Sequence, residues 1–199
     1  MIIGIVGGSG DFGRGLGGRL RALGYEVLLG SRNPEGDLVP NSVACERSDV
    51  VFLSVPPGGV ESTARSLVGE LEGKIVVSVA APVAFRDGQP TVEAAEVSLA
   101  ELTSRALPDS TVVAGFHTVS ARALARTDHP LDEDVILCGD DADAKALVGG
   151  LAEEVVEGRG VDAGPLDVAR WLEPLTVVLL HINRRYKVSS GVRITGLDG

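Results

Sequence analysis

The sequence predicts an α/β fold: a doubly wound, mostly parallel sheet, shortened after its second strand and followed by a small helical C-terminal region. Three observations carry that prediction. Residues Met1 to Arg32 read as strand, glycine turn, helix and strand, the order of a βαβ unit. Apolar runs then recur at Val50–Val55, Ile75–Val79, Thr111–Phe116 and Asp134–Gly139, with helical patterns between them. Finally, the stretch 33–44 after the second strand is too short and too rich in breakers for the helix and strand expected there.

The first element is the apolar strand Ile2–Val6, which runs into Gly7-Gly8-Ser9-Gly10-Asp11-Phe12-Gly13. Gly8, Gly10 and Gly13 fit G-x-G-x-x-G, a weak match alone in a chain with 26 glycines. Its place after a strand and before a helix makes it the phosphate-binding turn of a Rossmann-type dinucleotide site. In that reading Gly8 permits the tight turn, Gly10 lets the backbone approach a diphosphate, and Gly13 lets helix and strand pack closely. The helix start presents free N–H groups and the positive end of its dipole. Phe12, Leu16, Leu20 and Leu23 make one apolar stripe, and Arg14, Arg19 and Arg21 read as a solvated face.

The second strand, Val27–Leu29, ends on Gly30-Ser31-Arg32. A site for NAD usually places an acid there to hold the ribose 2′-hydroxyl, but no acid comes before Glu35. The Arg32 guanidinium and the Ser31 hydroxyl suit a 2′-phosphate instead, which favours NADP(H) over NAD(H). Residues 33–44 read as loop, with Ser42–Arg47 supplying at most a short helical turn.

The strand Val50–Val55 stops at Pro56-Pro57-Gly58-Gly59. Its exit is where ligands bind in this architecture, so Ser54, Val55 and Pro56 are candidates to pack along a cofactor, with a plain strand-ending turn as the alternative. A helix over Val60–Leu71 leads to the strand Ile75–Val79, whose exit Ala80-Ala81-Pro82 lies at the same edge. Residues 86–95 read as a polar loop. A helix over Leu99–Ala106 precedes the strand Thr111–Phe116, its exit loop His117–Ser120, and a short helix over Ala121–Ala125 that Ser120 can cap. The strands Asp134–Gly139 and Gly160–Ala163 flank a helix over Ala142–Glu154. After Leu166 a helical pattern carries Val168, Leu172, Leu175, Leu179 and Ile182, kinked or restarted at Pro174. Residues 1–165 thus read as the dinucleotide-binding domain and 166–199 as a helical segment and tail.

Composition narrows the function. A chain of 199 residues with 44% hydrophobic content suits one well-buried domain with a small appendage. The formal net charge of −10 argues against a nucleic-acid partner. Cys45 and Cys138 fall in segments predicted to be buried, which fits free thiols in the cytoplasm. No metal-ligand spacing links them to His117, His129 or His181, so no metal is expected. No basic region with a long apolar run begins the chain, and Leu175–Leu180 is too short to span a bilayer, so neither signal peptide nor membrane span is expected.

Several blocks together resemble a family. These are the glycine turn, Gly30-Ser31-Arg32, Leu137-Cys138-Gly139-Asp140-Asp141, and Val161-Asp162-Ala163-Gly164-Pro165-Leu166. Asn183-Arg184-Arg185-Tyr186-Lys187 and Gly191-Val192-Arg193-Ile194-Thr195-Gly196-Leu197 follow in the same order. The chain is similar over nearly its whole length to the NADPH-dependent reductases of the deazaflavin coenzyme F420. The resemblance implies a cytoplasmic homodimer that passes a hydride between NADP(H) and coenzyme F420. It implies that Ser9, Asp11, Phe12, Ser31 and Arg32 hold NADPH, with Val55 and Ala80 flanking it. His117, Val119 and the C-terminal segment would border the deazaflavin. The chain departs from the family pattern at Gly36, where a basic contact to the 2′-phosphate is expected. It departs again at Ala81 and His117, where asparagine is usual.

Direct hydride transfer between two bound rings needs little acid–base chemistry, so no catalytic acid, base or nucleophile is expected. His117 is the one titratable candidate at a strand exit, as a hydrogen-bond partner for the deazaflavin or as a structural residue. The basic segment from Arg184 to Arg193 reads as a seat for the coenzyme's anionic phosphate and glutamate tail, as a helix-end charge cluster, or as a dimer contact. The alternative functions are a non-enzymatic NADPH-binding redox sensor and an NADPH-dependent reductase of a flavin or small molecule.

Overall fold

The computed structural model describes residues 1–93 and 96–197. Strands β1 (Ile2–Val6), β2 (Glu26–Ser31), β3 (Leu38–Pro40), β4 (Val50–Leu53) and β5 (Ile75–Ser78) precede a hairpin of β6 (Val83–Arg86) and β7 (Gln89–Val92). β8 (Thr111–Gly115), β9 (Val135–Gly139) and β10 (Gly160–Asp162) follow. One sheet has the order β10-β9-β8-β5-β4-β1-β2-β3, and every neighbouring pair is parallel except β8 and β9. The chain winds outward from β1 in both directions, which opens a crevice at the carboxyl ends of β1 and β4.

Helices α1 (Asp11–Ala22), α2 (Asn41–Glu46), α3 (Val60–Ser66), α4 (Val68–Leu71) and α5 (Leu99–Ala106) are joined by α6 (Ala121–Leu124), α7 (Ala142–Val155), α8 (Ala169–Leu172) and α9 (Leu175–Tyr186). Side chains alternate across the sheet, and two cores result. Val50 and Phe52 of β4 join Ile3, Ile5, Leu16 and Val148 on one face. Val51 and Leu53 join Val6, Val60, Leu71 and Leu107 on the other.

Five sequence expectations need correction. Residues 33–44 are not all loop: the chain steps sideways after Ser31 and runs on as the edge strand β3, with Leu38 beside Leu29 and Pro40 beside Ser31. A three-residue edge strand needs no crossover helix, and its last position tolerates a proline that donates no hydrogen bond. Asp37 fixes the link, at 3.1 Å from Arg21 and 3.6 Å from Arg14. The helix over Val60–Leu71 breaks at Leu67, whose φ of −121° and ψ of 15° lie outside helical values. The expected loop 86–95 is largely the tip and return strand of the β6–β7 hairpin, and its positions 94 and 95 lie outside the described residues. Asp87 and Gly88 both take positive φ there, the requirement of a tight hairpin turn.

The fourth correction concerns Arg19, which is buried rather than solvated. Its Nη2 donates to the carbonyls of Arg126 at 2.8 Å and His129 at 2.9 Å, with Ala123 at 3.4 Å. These bonds tie α1 to the segment after α6. Ser120 stands at the start of α6, but its hydroxyl caps nothing; its carbonyl accepts from Ala123 and Leu124.

Two buried carboxylates fasten the C-terminal segment. Glu173, between α8 and α9, accepts the N–H groups of Leu99 and Ala100 at 2.9 Å each and so caps α5. Burial pushes its carboxyl up to about 7. Asp134 accepts the N–H groups of Ile194 at 2.8 Å and Arg159 at 2.9 Å and meets the guanidinium groups of Arg159 and Arg193. Burial opposes its charge, but these donors hold its carboxyl well below the usual range. Pro174 restarts the helical pattern, and α9 ends at Lys187 in a left-handed conformation.

Candidate functional site

The glycine turn sits at the crevice. Gly7, beside the motif's Gly8, is the left-handed residue of the turn, with φ of +81°. A Cβ on Gly7 would lie 2.0 Å from the Ser54 carbonyl oxygen, because the exits of β1 and β4 touch there. Gly8 packs on Leu29 of β2 and donates to the Gly30 carbonyl at 2.8 Å. Gly13 lies against the backbone of Gly7 and Gly8, so it serves helix–strand packing as expected. Gly10 begins α1 with no side chain over the helix end, and a Cβ there would meet only the Gly7 carbonyl at 3.5 Å. The first N–H groups of α1 therefore face open space, the geometry that an anion needs.

At the end of β2, the Ser31 hydroxyl is already engaged: it donates to the Asn33 carbonyl at 3.1 Å and accepts the Asn33 N–H at 3.2 Å. Arg32 is exposed and is the free cation at this position. Gly36 is exposed with φ of +65° and supplies no charge.

The strand exits converge on one cavity of about 1080 Å³. Gly10, Asp11 and Phe12 line it from α1, and Ser54, Val55 and Pro56 from the exit of β4. Ala80 and Ala81 follow β5, and His117 and Val119 follow β8. Ser9, Ser31 and Arg32 lie outside its walls, along the turn and the β2 end where the outer half of a dinucleotide would run. Thr176, Leu179, Leu180 and Asn183 of α9 also line it; the sequence pointed to the C-terminal segment here but did not single out these four as site residues. One signal for Thr176 was available: it interrupts the apolar run Leu175–Leu180. Its hydroxyl donates to the His117 carbonyl at 2.8 Å and docks α9 on the exit of β8.

Phe116 has φ of +64°, uncommon for a bulky residue, and delivers His117 into the cavity. The ring of Phe116 is buried edge-on against Phe52, with centroids 5.4 Å apart. His117 is 5% exposed; neither ring nitrogen meets full hydrogen-bond geometry with a protein group, and the Ala80 carbonyl is the group that approaches the ring. Burial pushes its imidazole down to about 3, against a smaller opposite effect of the Ala80 carbonyl. The ring is therefore neutral throughout the physiological range and offers one donor and one acceptor. His117 lines the cavity, but both of its nitrogens are shut off from solvent.

Ser190 of the C-terminal segment lines the cavity, but the segment's basic side chains do not. Arg193 pairs with Asp132 at 2.8 Å and Asp134 at 3.3 Å, Arg184 donates to the Gly88 carbonyl, and Arg185 lies 6.0 Å from the Tyr186 ring centre. Among the described residues no cluster of His, Cys, Asp and Glu could hold a metal ion. No helix there is long and apolar enough to cross a membrane. Cys45 and Cys138 are buried and unpaired, and burial pushes their thiols up to about 12 and 11.

Comparison with known proteins agrees with this geometry. Residues 2–82 match the family model described as NADP oxidoreductase coenzyme F420-dependent. The chain is 36% identical to the F420-dependent NADP reductase of Methanocaldococcus jannaschii, with 100% of both chains covered. It is 32% identical to the F420-dependent NADP reductase of Methanothermobacter marburgensis, with 99% of each covered. Among solved structures, an Arthrobacter sp. FB24 protein provisionally assigned as an F420-dependent NADP reductase superposes with a TM-score of 0.85 at 25% identity over 98% of each chain.

Proposed function

The chain belongs to the family of F420-dependent NADP reductases, and from that premise we propose that it passes a hydride between NADP(H) and coenzyme F420. The observation that carries this reading is the cavity at the strand exits, lined both by the open end of α1 and by His117. At about 1080 Å³ it exceeds the usual room for one small ligand and suits two stacked ring systems.

We assign the diphosphate of NADP(H) to the N–H groups beyond Gly10, beside Ser9, Asp11 and Phe12. The 2′-phosphate falls to Arg32. Val55 and Ala80 flank the nicotinamide, and His117 and Val119 border the deazaflavin. The carriers themselves supply the hydride chemistry; the protein holds their reacting carbons at close approach and keeps water out. Val79, Val119, Leu179 and Leu180 give the cavity an apolar lining for that purpose. His117 serves as a neutral hydrogen-bonding group, not as an acid or base. Residues 1–165 form the NADP-binding unit in this reading, and 166–199 close the deazaflavin side.

Mixing the protein with NADPH and coenzyme F420 tests the activity: the deazaflavin's visible absorbance should fall. NADPH binding without that loss would favour the sensor reading. Arg32→Ala should weaken NADPH about tenfold to hundredfold, the worth of charge-assisted hydrogen bonds to one phosphate, and leave NADH almost unchanged. Equal loss for both dinucleotides would refute the 2′-phosphate assignment.

We also propose a cytoplasmic homodimer. Two free cysteines fit a reducing compartment. Val178, Ile182 and Tyr186 form an exposed stripe at i, i+4 and i+8 on α9, with Trp171 nearby in the chain and 74% exposed. Ile182→Arg should convert a dimer into a monomer by sedimentation velocity; an unchanged sedimentation coefficient would exclude this stripe as the interface.

A further inference from the structure

Among the described residues lining the cavity, the cations are Arg14 and Arg122. Both stand at one end, where the cavity runs out as a groove between α1 and α6. Gly15 and Gly18 form its floor, and Ala125 and Thr127 its far side. A Cβ on Gly15 would come within 3.0 Å of the Leu124 Cβ, so the two helices touch there. A Cβ on Gly18 would meet only the Thr127 methyl at 3.9 Å, so the groove opens beyond that contact.

The two arginines differ in what holds them. Arg14 lies 3.6 Å from Asp37, both half-exposed. Arg122 is exposed and has no ion-pair or hydrogen-bond partner among the described residues. Asp11 is the acid that shares this cavity, at the α1 end. Near the C-terminus Arg184 donates to Gly88, Arg185 lies beside Tyr186 and Arg193 pairs with Asp132 and Asp134, and neither these residues nor Lys187 line the cavity. In a chain with a net charge of −10, an unpaired arginine on a groove leading from a ring-sized cavity suits a ligand with an anionic arm.

We propose that this groove seats the anionic tail of the deazaflavin, its phosphodiester and glutamate carboxylates, with Arg122 in direct contact and Arg14 joining from the opposite wall. A planar guanidinium matches both anions. The proposal rests on the F420 reading and moves the tail away from the basic C-terminal segment.

The test compares coenzyme F420 with the deazaflavin alcohol that lacks phosphate and glutamates. Binding of each to the full chain is followed by deazaflavin fluorescence, with NADPH affinity measured alongside. The wild-type protein should bind the tailed form roughly tenfold more tightly, a preference that shrinks as salt rises. Arg122→Ala should erase most of that preference, Arg122→Lys should keep part of it, and neither should change NADPH affinity. Three results would overturn the proposal: no tail preference in the wild type, weaker NADPH binding in Arg122→Ala, or loss of the preference only in an Arg184→Ala, Arg185→Ala double variant. The second would assign Arg122 to the dinucleotide's diphosphate. Wild-type protein that reduces neither deazaflavin with NADPH would overturn the activity reading, and this proposal with it.

Discussion

Gly7→Ala is expected to weaken NADP(H) binding by about a hundredfold or more and to destabilise the fold by about 3–5 kcal/mol. Two causes add. The position needs φ of +81°, which an alanine adopts only with strain. The new Cβ would also lie 2.0 Å from the Ser54 carbonyl oxygen, a backbone atom that cannot rotate away. The β1 and β4 exits must then separate, and the carbonyl of Gly7 that accepts the Gly10 N–H at 3.1 Å moves with them. That shift misaims the first N–H groups of α1. Gly24→Ala separates the two causes: Gly24 has φ of +94° but nothing within 4 Å of its Cβ position. It should lose only about 1–2 kcal/mol and leave NADPH affinity intact. Isothermal titration with NADPH, beside denaturant unfolding, checks both variants. Normal NADPH affinity in Gly7→Ala would contradict the placement of the diphosphate.

Glu173→Ala is expected to cost about 3 kcal/mol and to weaken deazaflavin binding more than NADPH binding. The substitution leaves the Leu99 and Ala100 N–H groups buried without acceptors, and each such loss is worth about 1–3 kcal/mol. It also frees the corner before α9, the helix whose Thr176 docks on the His117 carbonyl and whose Leu179 and Leu180 wall the cavity. Glu173→Gln should cost less, because an amide oxygen can still accept one N–H. It should also change the dependence on pH. Burial raises the folded carboxyl to about 7 from an ordinary 4.5, so between those values the folded state holds more protons than the unfolded state. This group's contribution therefore diminishes as pH rises from about 4.5 to 7. Glu173→Gln removes that slope, so its penalty relative to wild type should be larger at pH 5 than at pH 8. Denaturant unfolding at the two pH values reads the difference; an equal penalty at both would show that Glu173 keeps an ordinary affinity for its proton.

Much of the scaffold was legible because its signals are local. Strand, glycine turn and helix follow from the spacing within Met1 to Arg32, and the buried strands from the runs at Val50, Ile75 and Thr111. Arg19 was not legible: along the sequence it looks like Arg14 and Arg21, and only tertiary packing brings its guanidinium to the carbonyls of Ala123 in α6 and of Arg126 and His129 beyond it. The hairpin was legible in principle through Asp87-Gly88, but its polar composition read as loop. The glycine motif located the turn but did not show that Gly7 would be its left-handed residue, because Gly7 is set by contact with Ser54, a neighbour far along the chain. His117 was found by its position at a strand exit. Its burial and unpaired nitrogens depend on the left-handed turn at Phe116 and on α9 closing over it, which no local pattern announces. Arg122 carried no sequence signal beyond its nearness to Ser120.

Direct transfer between two carriers held face to face in one cavity needs no acid or base from the protein. NADPH deuterated at the transferring position of carbon 4 tests it in a single turnover with coenzyme F420. The reduced deazaflavin should carry one deuterium at carbon 5, with no loss to solvent and no pH-dependent step near neutrality from His117. Label washed out into water, or a deazaflavin left oxidised while NADPH is bound, would contradict it.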